Sequence, residues 1–213
     1  MSVEKIIVRS FLSTLAAIVI LLVFMVGMLV AVYPETMMNV SYDLGMEKAS
    51  VWFAERAYKR HDKIETIAFA TAVALEENMY DKILSCGDKM INDNEFADYC
   101  QRKDEENEKK YEGQTEILEI LGSYDQYVYA QVSVAQYKTG DKDGAVTRAV
   151  NAVELASDFP KNNAIVCLLI EADSDGDETL VQTLLLEMET LYSDGWKDAD
   201  KAYYNEIYSA VKA

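Results

Sequence analysis

An uninterrupted apolar run near the N-terminus constrains the structure of this chain most. Residues 11–33 include no charged side chain. At about 1.5 Å rise per residue, a helix of this length spans roughly 34 Å, enough to cross a hydrocarbon core about 30 Å thick. We therefore predict a membrane-spanning helix over residues 11–33, with these residues in contact with the lipid bilayer.

Two interpretations of this run are a retained anchor and a cleaved signal peptide. We favour the anchor, because the run exceeds the roughly 7–15 apolar residues of a cleavable signal and ends without a small-x-small cleavage site. Lys5 and Arg9 precede the run, whereas no lysine or arginine follows it until Lys48. The positive-inside rule then places residues 1–10 in the cytoplasm and the rest of the chain on the other side of the membrane.

The chain beyond the apolar run is strongly acidic. The sequence has 37 acidic and 20 basic residues, of which only Glu4, Lys5 and Arg9 precede residue 34. The part beyond the run therefore has 36 acidic and 18 basic residues, a net charge of −18. Such a surface repels phosphate backbones and anionic lipid, so we expect no nucleic-acid partner. The length is sufficient for one domain with a hydrophobic core.

The acidic part has the pattern of an all-α domain. No stretch alternates apolar and polar residues over the length of a strand, and only Pro34 and Pro160 interrupt the chain. We predict a linker at 34–43 and an α-helical domain at 44–213, in which short connections make consecutive helices pack antiparallel. The helices are predicted at 44–60, 63–77, 80–92, 94–102, 105–121, 124–139, 142–157, 161–172, 178–193 and 197–212.

Two of these connections contain the same dipeptide. Gly140-Asp141 and Gly176-Asp177 lie 36 residues apart, each between two predicted helices. Glycine supplies the left-handed residue that ends one helix, and the aspartate caps the N-terminus of the next. The spacing indicates an internal repeat of helical hairpins.

Residues 126–160 resemble a tetratricopeptide repeat. The positions that match the family pattern are Tyr129, Val132 and the small Ser133 in the first helix, Gly140 and Asp141 in the turn, and the small Ala145 and Ala152 in the second helix. Ala149 departs from the usual aromatic residue, and Pro160 falls late. Two further units, at about 63–92 and 162–193, follow the pattern weakly, the latter through Gly176 and Asp177.

The resemblance covers about half of the chain and carries an expected function. It implies a short superhelix of stacked antiparallel hairpins, whose concave face binds a peptide or helix of a partner protein. It implies groove positions at Tyr129, Gln136 and Tyr137, although core packing is the alternative for Tyr129. It implies no chemistry and no cofactor.

No catalytic motif accompanies this architecture. His61 is the only histidine and lies between Arg60 and Asp62 in a predicted turn. The sequence has no nucleophile elbow, zinc-protease helix or phosphate-binding loop. We therefore expect no enzymatic activity.

An acidic segment after residue 170 has part of the spacing of a calcium-binding loop. Glu171, Asp173 and Asp175 occupy the first, third and fifth positions of an EF-hand pattern. The twelfth position is Gln182, which cannot supply bidentate carboxylate ligation. We favour a repeat turn without a metal, and weak calcium binding is the alternative.

The three cysteines have different predicted environments. Cys167 lies in an apolar segment and is expected to be buried. Cys86 and Cys100 each lie seven residues from a predicted turn at Asp93, which places them opposite one another on antiparallel helices. They form either a disulfide, outside the cytoplasm, or two free thiols.

These observations lead to one preferred function and two alternatives. The preferred one is a single-pass membrane protein whose extracytoplasmic domain is an adaptor for partner proteins, and the composition fits a bacterial cell membrane. The alternatives are a structural subunit of an envelope membrane complex and a chaperone-like accessory to secretion.

Overall fold

The computed structural model describes residues 3–156 and 158–212, and every regular element in these ranges is a helix. This confirms the all-α prediction. The helices are α1 (Val3–Val32), α2 (Pro34–Asp43), α3 (Glu47–His61), α4 (Ile64–Glu76), α5 (Tyr80–Ile91), α6 (Phe96–Lys110), α7 (Thr115–Leu121), α8 (Tyr124–Lys138), α9 (Lys142–Ala156), α10 (Ala164–Ser174), α11 (Glu178–Leu191) and α12 (Asp198–Lys212).

Helix α1 is long and apolar enough to cross a membrane. Within it, Thr14–Val32 has a mean hydropathy of 3.2. The side chains of residues 14–28 are exposed, as expected of a helix whose apolar surface faces lipid. Helix α1 ends at Val32 and Pro34 begins α2, because proline fits the first turn of a helix but disrupts its interior.

The segment predicted as a linker, 34–43, is instead helix α2, which packs on α3. Met38 and Ser41 of α2 are buried. The hydroxyl of Ser50 in α3 donates to the carbonyl oxygen of Met38 at 3.0 Å. The folded domain therefore begins directly after α1.

The helices form two consecutive series that meet at one interface. Each helix of α2–α5 packs against the next, and so does each helix of α8–α11. Helix α5 packs directly against α8, and α10 packs against both α8 and α9. We call α2–α5 and α8–α11 together the stack. Helix α4, predicted to be central because residues 64–75 are almost wholly apolar, buries Ile64, Ile67, Ala70 and Ala74 completely.

Residues 101–121 leave the stack, and we call them the arm. They comprise most of α6, the turn that follows it, and α7, and none of their side chains is buried. The sequence predicted a helix break after residue 102, but α6 runs through this position to Lys110. The break comes at Gly113, whose φ of 79° is a left-handed conformation that glycine adopts readily.

Small residues bring the helices of the stack close together. Ser133, Ala145 and Ala152 are fully buried. At the meeting of α5 and α8, a Cβ added to Gly87 would overlap the Cγ2 methyl of Val132. The two series therefore join through a contact that requires glycine.

Both Gly-Asp turns have the predicted geometry. Gly140 and Gly176 have φ values of 97° and 69°. A side-chain oxygen of Asp141 accepts from the backbone N–H of Gly144 at 3.0 Å, and Asp177 caps α11 by accepting from the N–H of Leu180 at 3.3 Å.

Candidate functional site

The three residues that the repeat resemblance assigned to a groove lie in other environments. Tyr129 is partly buried and contacts Phe96 edge to face, with ring centroids 5.9 Å apart. Tyr137 is 8% exposed and belongs to the core. The side-chain amide of Gln136 donates to Asp141 at 2.7 Å and so braces the following turn.

The other side of α8 borders two cavities. Tyr124, Tyr127 and Gln131 are three and four positions apart, so they project from one side of the helix. Tyr129 lies two positions from Tyr127, about 200° further around a helix with 3.6 residues per turn. Tyr127 and Gln131 therefore border the cavities on the side of α8 that faces away from Tyr129.

The first cavity lies between α4 and α8 and has a volume of about 380 Å³. This is within the range of roughly 300–1,000 Å³ that is typical of ligand sites. The arm contributes Asn107 and Leu121 to its wall. Helix α4 contributes the small and apolar side chains of Ala68, Thr71, Ala72 and Leu75.

The second cavity lies between α8 and α10 and has a volume of about 270 Å³. Leu121, Tyr127 and Gln131 line both cavities, which therefore adjoin each other. We call the two cavities together the α8 groove. The second cavity is also lined by Ile120, Ser123, Gln126, Ala130, Lys161, Asn162 and Cys167.

Gln126 gives the groove a buried acceptor. Its side chain is only 2% exposed, and its Nε2 donates to the carbonyl oxygen of Ala152 at 2.9 Å. Its Oε1 has no hydrogen-bond partner among the described residues. A buried acceptor without a donor costs about 1–3 kcal/mol. A ligand that brings a donor to this oxygen would remove that cost.

The arm forms one wall of the groove and is fastened at its end. The carbonyl oxygen of Ile120 accepts a hydrogen bond from the side-chain amide of Asn162, just before α10. Lys161 pairs with Glu119 at 3.0 Å. At the other side, the N–H of Tyr124 donates to Asp104 at 2.8 Å. These polar contacts hold the arm in place without burying its side chains.

Burial raises the pKa of Tyr127 in the groove and of Asp104 beside it. The hydrogen bond from the Tyr124 N–H opposes the rise in the pKa of the Asp104 carboxyl. Because its pKa is raised, Tyr127 stays protonated and can donate a hydrogen bond to a ligand at neutral pH.

The segment weighed as a calcium loop is engaged with lysines. Lys138 contacts Glu171 at 2.6 Å and Asp175 at 2.7 Å, and Lys142 pairs with Asp177. Within residues 3–156 and 158–212, no group of three metal-ligating side chains is arranged to hold an ion. The acidic segment thus forms ion pairs with lysines at the end of α8 and at the start of α9.

The cysteines are all free thiols. Cys86 and Cys100 share one buried cluster, where burial raises their pKa values to about 11 and about 12. No disulfide joins them, which is the second of the two alternatives that the sequence allowed. Cys167, expected to be buried, is instead partly exposed in the second cavity, where its Sγ lies 3.3 Å from the carbonyl oxygen of Asn162.

Comparison of the chain with protein-family models, with curated proteins and with solved structures gives no match. The tetratricopeptide resemblance therefore stays a prediction. The groove itself left a usable signal in the sequence, because Ala68 and Ala72 of α4 and Tyr127 and Gln131 of α8 each repeat at helical spacing. That signal identifies a helix face but does not show which faces meet.

Proposed function

We propose that this protein is a membrane-anchored adaptor whose α8 groove binds a segment of a partner protein without covalent chemistry or a cofactor. The observation that carries this proposal is the pair of adjoining, mostly apolar cavities along α8, whose lining includes Gln126 with its unpaired Oε1. Apolar side chains of the partner would fill the two cavities, and one donor would pair with this oxygen.

The acceptor favours a particular kind of segment. Backbone N–H groups within a helix are already paired, whereas those of an extended segment or of the first helical turn are free. We therefore propose an extended segment, or the N-terminal turn of a helix, with a backbone N–H directed at Gln126. Large apolar residues on either side would enter the cavities beside Tyr127.

The tetratricopeptide-like architecture belongs to the same proposal. The packing of α10 against both α8 and α9, together with the matching Gly-Asp turns, supports a short superhelix of hairpins. On this proposal the α8 groove is the concave face, and the arm is an insertion that narrows it.

The proposed location follows from α1 and the flanking charges. Helix α1 would anchor the chain in the membrane, with residues 1–10 in the cytoplasm and the acidic domain outside. The composition supports a bacterial cell membrane. A partner would then be another extracytoplasmic protein or the exposed part of a membrane protein.

Site-specific crosslinking in the native membrane tests the proposal. Benzoylphenylalanine is introduced in place of Tyr127 and, in a separate control, in place of Tyr192, which lies outside the groove. The two side chains have similar exposure, 42% and 39%. We expect a light-dependent adduct at position 127 and not at position 192. Equal adducts at both positions, or none at 127, would contradict the groove assignment.

A second variant tests the acceptor itself. Gln126→Met keeps the length of the side chain and removes the acceptor, and Gln182→Met is the matched change at an exposed position of α11. We expect Gln126→Met, with its helix content intact, to lose most of the crosslink at position 127. Gln182→Met should keep it.

The identity of the adducts separates the alternatives. One stoichiometric companion supports an adaptor, or a structural subunit if that companion belongs to a stable envelope complex. Many secreted or unfolded proteins crosslinked at position 127 would instead favour a chaperone-like accessory to secretion.

A further inference from the structure

The turn between α3 and α4 concentrates positive charge in a domain that is otherwise acidic. Residues 56–63 carry Arg56, Lys59, Arg60 and Lys63, and only one acid, Asp62. All four cationic side chains are exposed. Against a net charge of −18 for residues 34–213, this end of α3 is a local reversal of sign.

The turn lies beside the end of the candidate membrane helix. Lys63 pairs with Glu35 at 2.9 Å, and Glu35 comes three residues after α1 ends at Val32. Val30 of α1 packs against the same hydrophobic cluster as Met37 of α2. With α1 in a bilayer, the α3–α4 turn is therefore at the level where the chain leaves the membrane.

One face of α3 continues this basic turn with an interfacial aromatic residue. Trp52 is 46% exposed, and the guanidinium carbon of Arg56 lies 5.0 Å from the centroid of its ring. Trp52, Arg56 and Lys59 are four and three positions apart and so share a face of the helix. Tryptophan is enriched at membrane–water interfaces, where its ring lies at the level of the headgroups.

Two acids near this face are engaged by other groups. Glu55 pairs with Lys82 at 2.5 Å and with Lys89 at 2.8 Å. Asp93 accepts a hydrogen bond from the hydroxyl of Tyr58 at 2.6 Å. Within the described part of the chain, no carboxylate forms an ion pair with Arg56, Lys59 or Arg60. Their charges are available to an external anion.

We propose that Trp52, Arg56, Lys59 and Arg60 form a surface that binds the phosphate headgroups of anionic lipids in the bilayer that holds α1. We call it the headgroup surface. The arginine guanidinium groups match the geometry of phosphate, and each cation near an anionic membrane adds attraction. This contact is distinct from the α8 groove, and it fixes the orientation of the stack on the membrane.

Fluorescence quenching in reconstituted vesicles tests this proposal. The full-length protein is incorporated into vesicles of phosphatidylcholine alone or of phosphatidylcholine with phosphatidylglycerol, each with a nitroxide-labelled headgroup lipid. Helix α1 contains no tryptophan, so Trp52 and Trp196 are the only reporters. Trp196 is 8% exposed and stacks on Phe159. A Trp52→Phe variant measures the contribution of Trp196.

We expect the nitroxide to quench Trp52 more strongly when phosphatidylglycerol is present. Lys59→Glu/Arg60→Glu should return the quenching to the value in phosphatidylcholine alone. The ratio of docked to undocked domains should fall by about fivefold for each cation removed. Lys109→Glu/Lys110→Glu is the matched control, because it reverses two exposed cations in the last turn of α6, and it should keep the wild-type response.

Three results would overturn the proposal. The first is equal quenching of Trp52 in both kinds of vesicle, and the second is an equal loss in the two charge-reversal variants. Either result would contradict the headgroup surface and would not affect the adaptor proposal. The third is failure of the full chain to float with vesicles of either composition, which would also contradict the assignment of α1 as a membrane anchor.

Discussion

The stack and the arm are connected parts of one chain that are held in place by different forces. In the stack, Leu168, Leu169 and Leu184 are fully buried, and the helices approach closely through glycine and alanine. In the arm, residues 101–121 bury no side chain, and Ile120 is 60% exposed. Buried apolar surface therefore stabilises the stack, whereas a few polar contacts hold the arm.

This difference bears on how the α8 groove can bind a partner. Local opening requires the least free energy where few apolar contacts are broken. The wall formed by the stack is thus rigid, and the wall formed by the arm is the one that can adjust to a ligand. The four predictions that follow test this contrast in order of decreasing effect.

The largest effect is expected inside the stack. Leu168→Ala truncates a fully buried side chain of α10 and should lower the free energy of unfolding by about 2–5 kcal/mol. Leu186→Ala is the control, because Leu186 is 62% exposed. Urea denaturation of the full chain in detergent, followed by circular dichroism, measures both. Equal losses in the two variants would contradict the assignment of the core.

The next effect is expected where α5 meets α8. Gly87→Ala places a methyl group against Val132 and should cost about 1–3 kcal/mol, even though alanine favours a helix more than glycine does. Val132→Ala in the same chain should relieve the overlap. A double-mutant cycle measures the coupling, and strict additivity would show that the two residues do not touch.

Acidification should change the contributions of the stack and the arm to folding stability in opposite directions. Hydrogen bonds from Lys138 and Lys142 hold the pKa values of Asp175 and Asp177 below the ordinary 3.8. Their contribution to stability is fully present above 3.8 and is lost as the pH falls through the lower folded-state values. Burial raises the pKa of Asp104 in the arm, so its contribution is present at low pH and is lost as the pH rises through the folded-state value.

Melting temperatures between about pH 6 and about pH 2 measure this dependence. Asp175→Asn should flatten the loss of stability on acidification, and Asp104→Asn should leave that loss in place. The assignment would be contradicted if Asp104→Asn flattened the curve and Asp175→Asn did not.

The smallest effect is expected in the arm. Ile120→Ser should change the free energy of unfolding by no more than about 0.5 kcal/mol, since the side chain is mostly exposed. Amide hydrogen exchange in residues 105–121 should be faster than in α4 and α8. A large loss of stability in Ile120→Ser would contradict the difference between the two regions. So would amide hydrogen exchange in the arm that is as slow as in α8.

The sequence was sufficient for most of the local structure of the stack. Apolar periodicity predicted the helices from α3 onward to within a few residues, apart from those of the arm. The two Gly-Asp turns were predicted with their caps, because a left-handed glycine followed by an aspartate is a local signal. Helix α4 was predicted to be buried because both of its faces are apolar.

Other features depend on contacts between distant residues. The sequence predicts a linker in place of helix α2, because only the contact of α2 with α3 shows that Met38 is buried. The need for glycine at position 87 follows from the approach of Val132, which the arm separates from it in sequence. For the same reason the cavities beside Tyr127 could not be located from the sequence, since periodicity does not show which face of α8 another helix covers.

On the adaptor proposal, the short junction at Tyr33 affects how a partner is found. Only this residue separates α1 from α2, and no flexible tether intervenes. With α1 in a bilayer, the groove stays at a nearly constant height and diffuses with its anchor in two dimensions. Encounters then depend on the surface density of the partner, so one held in the same membrane meets the groove at a high effective concentration.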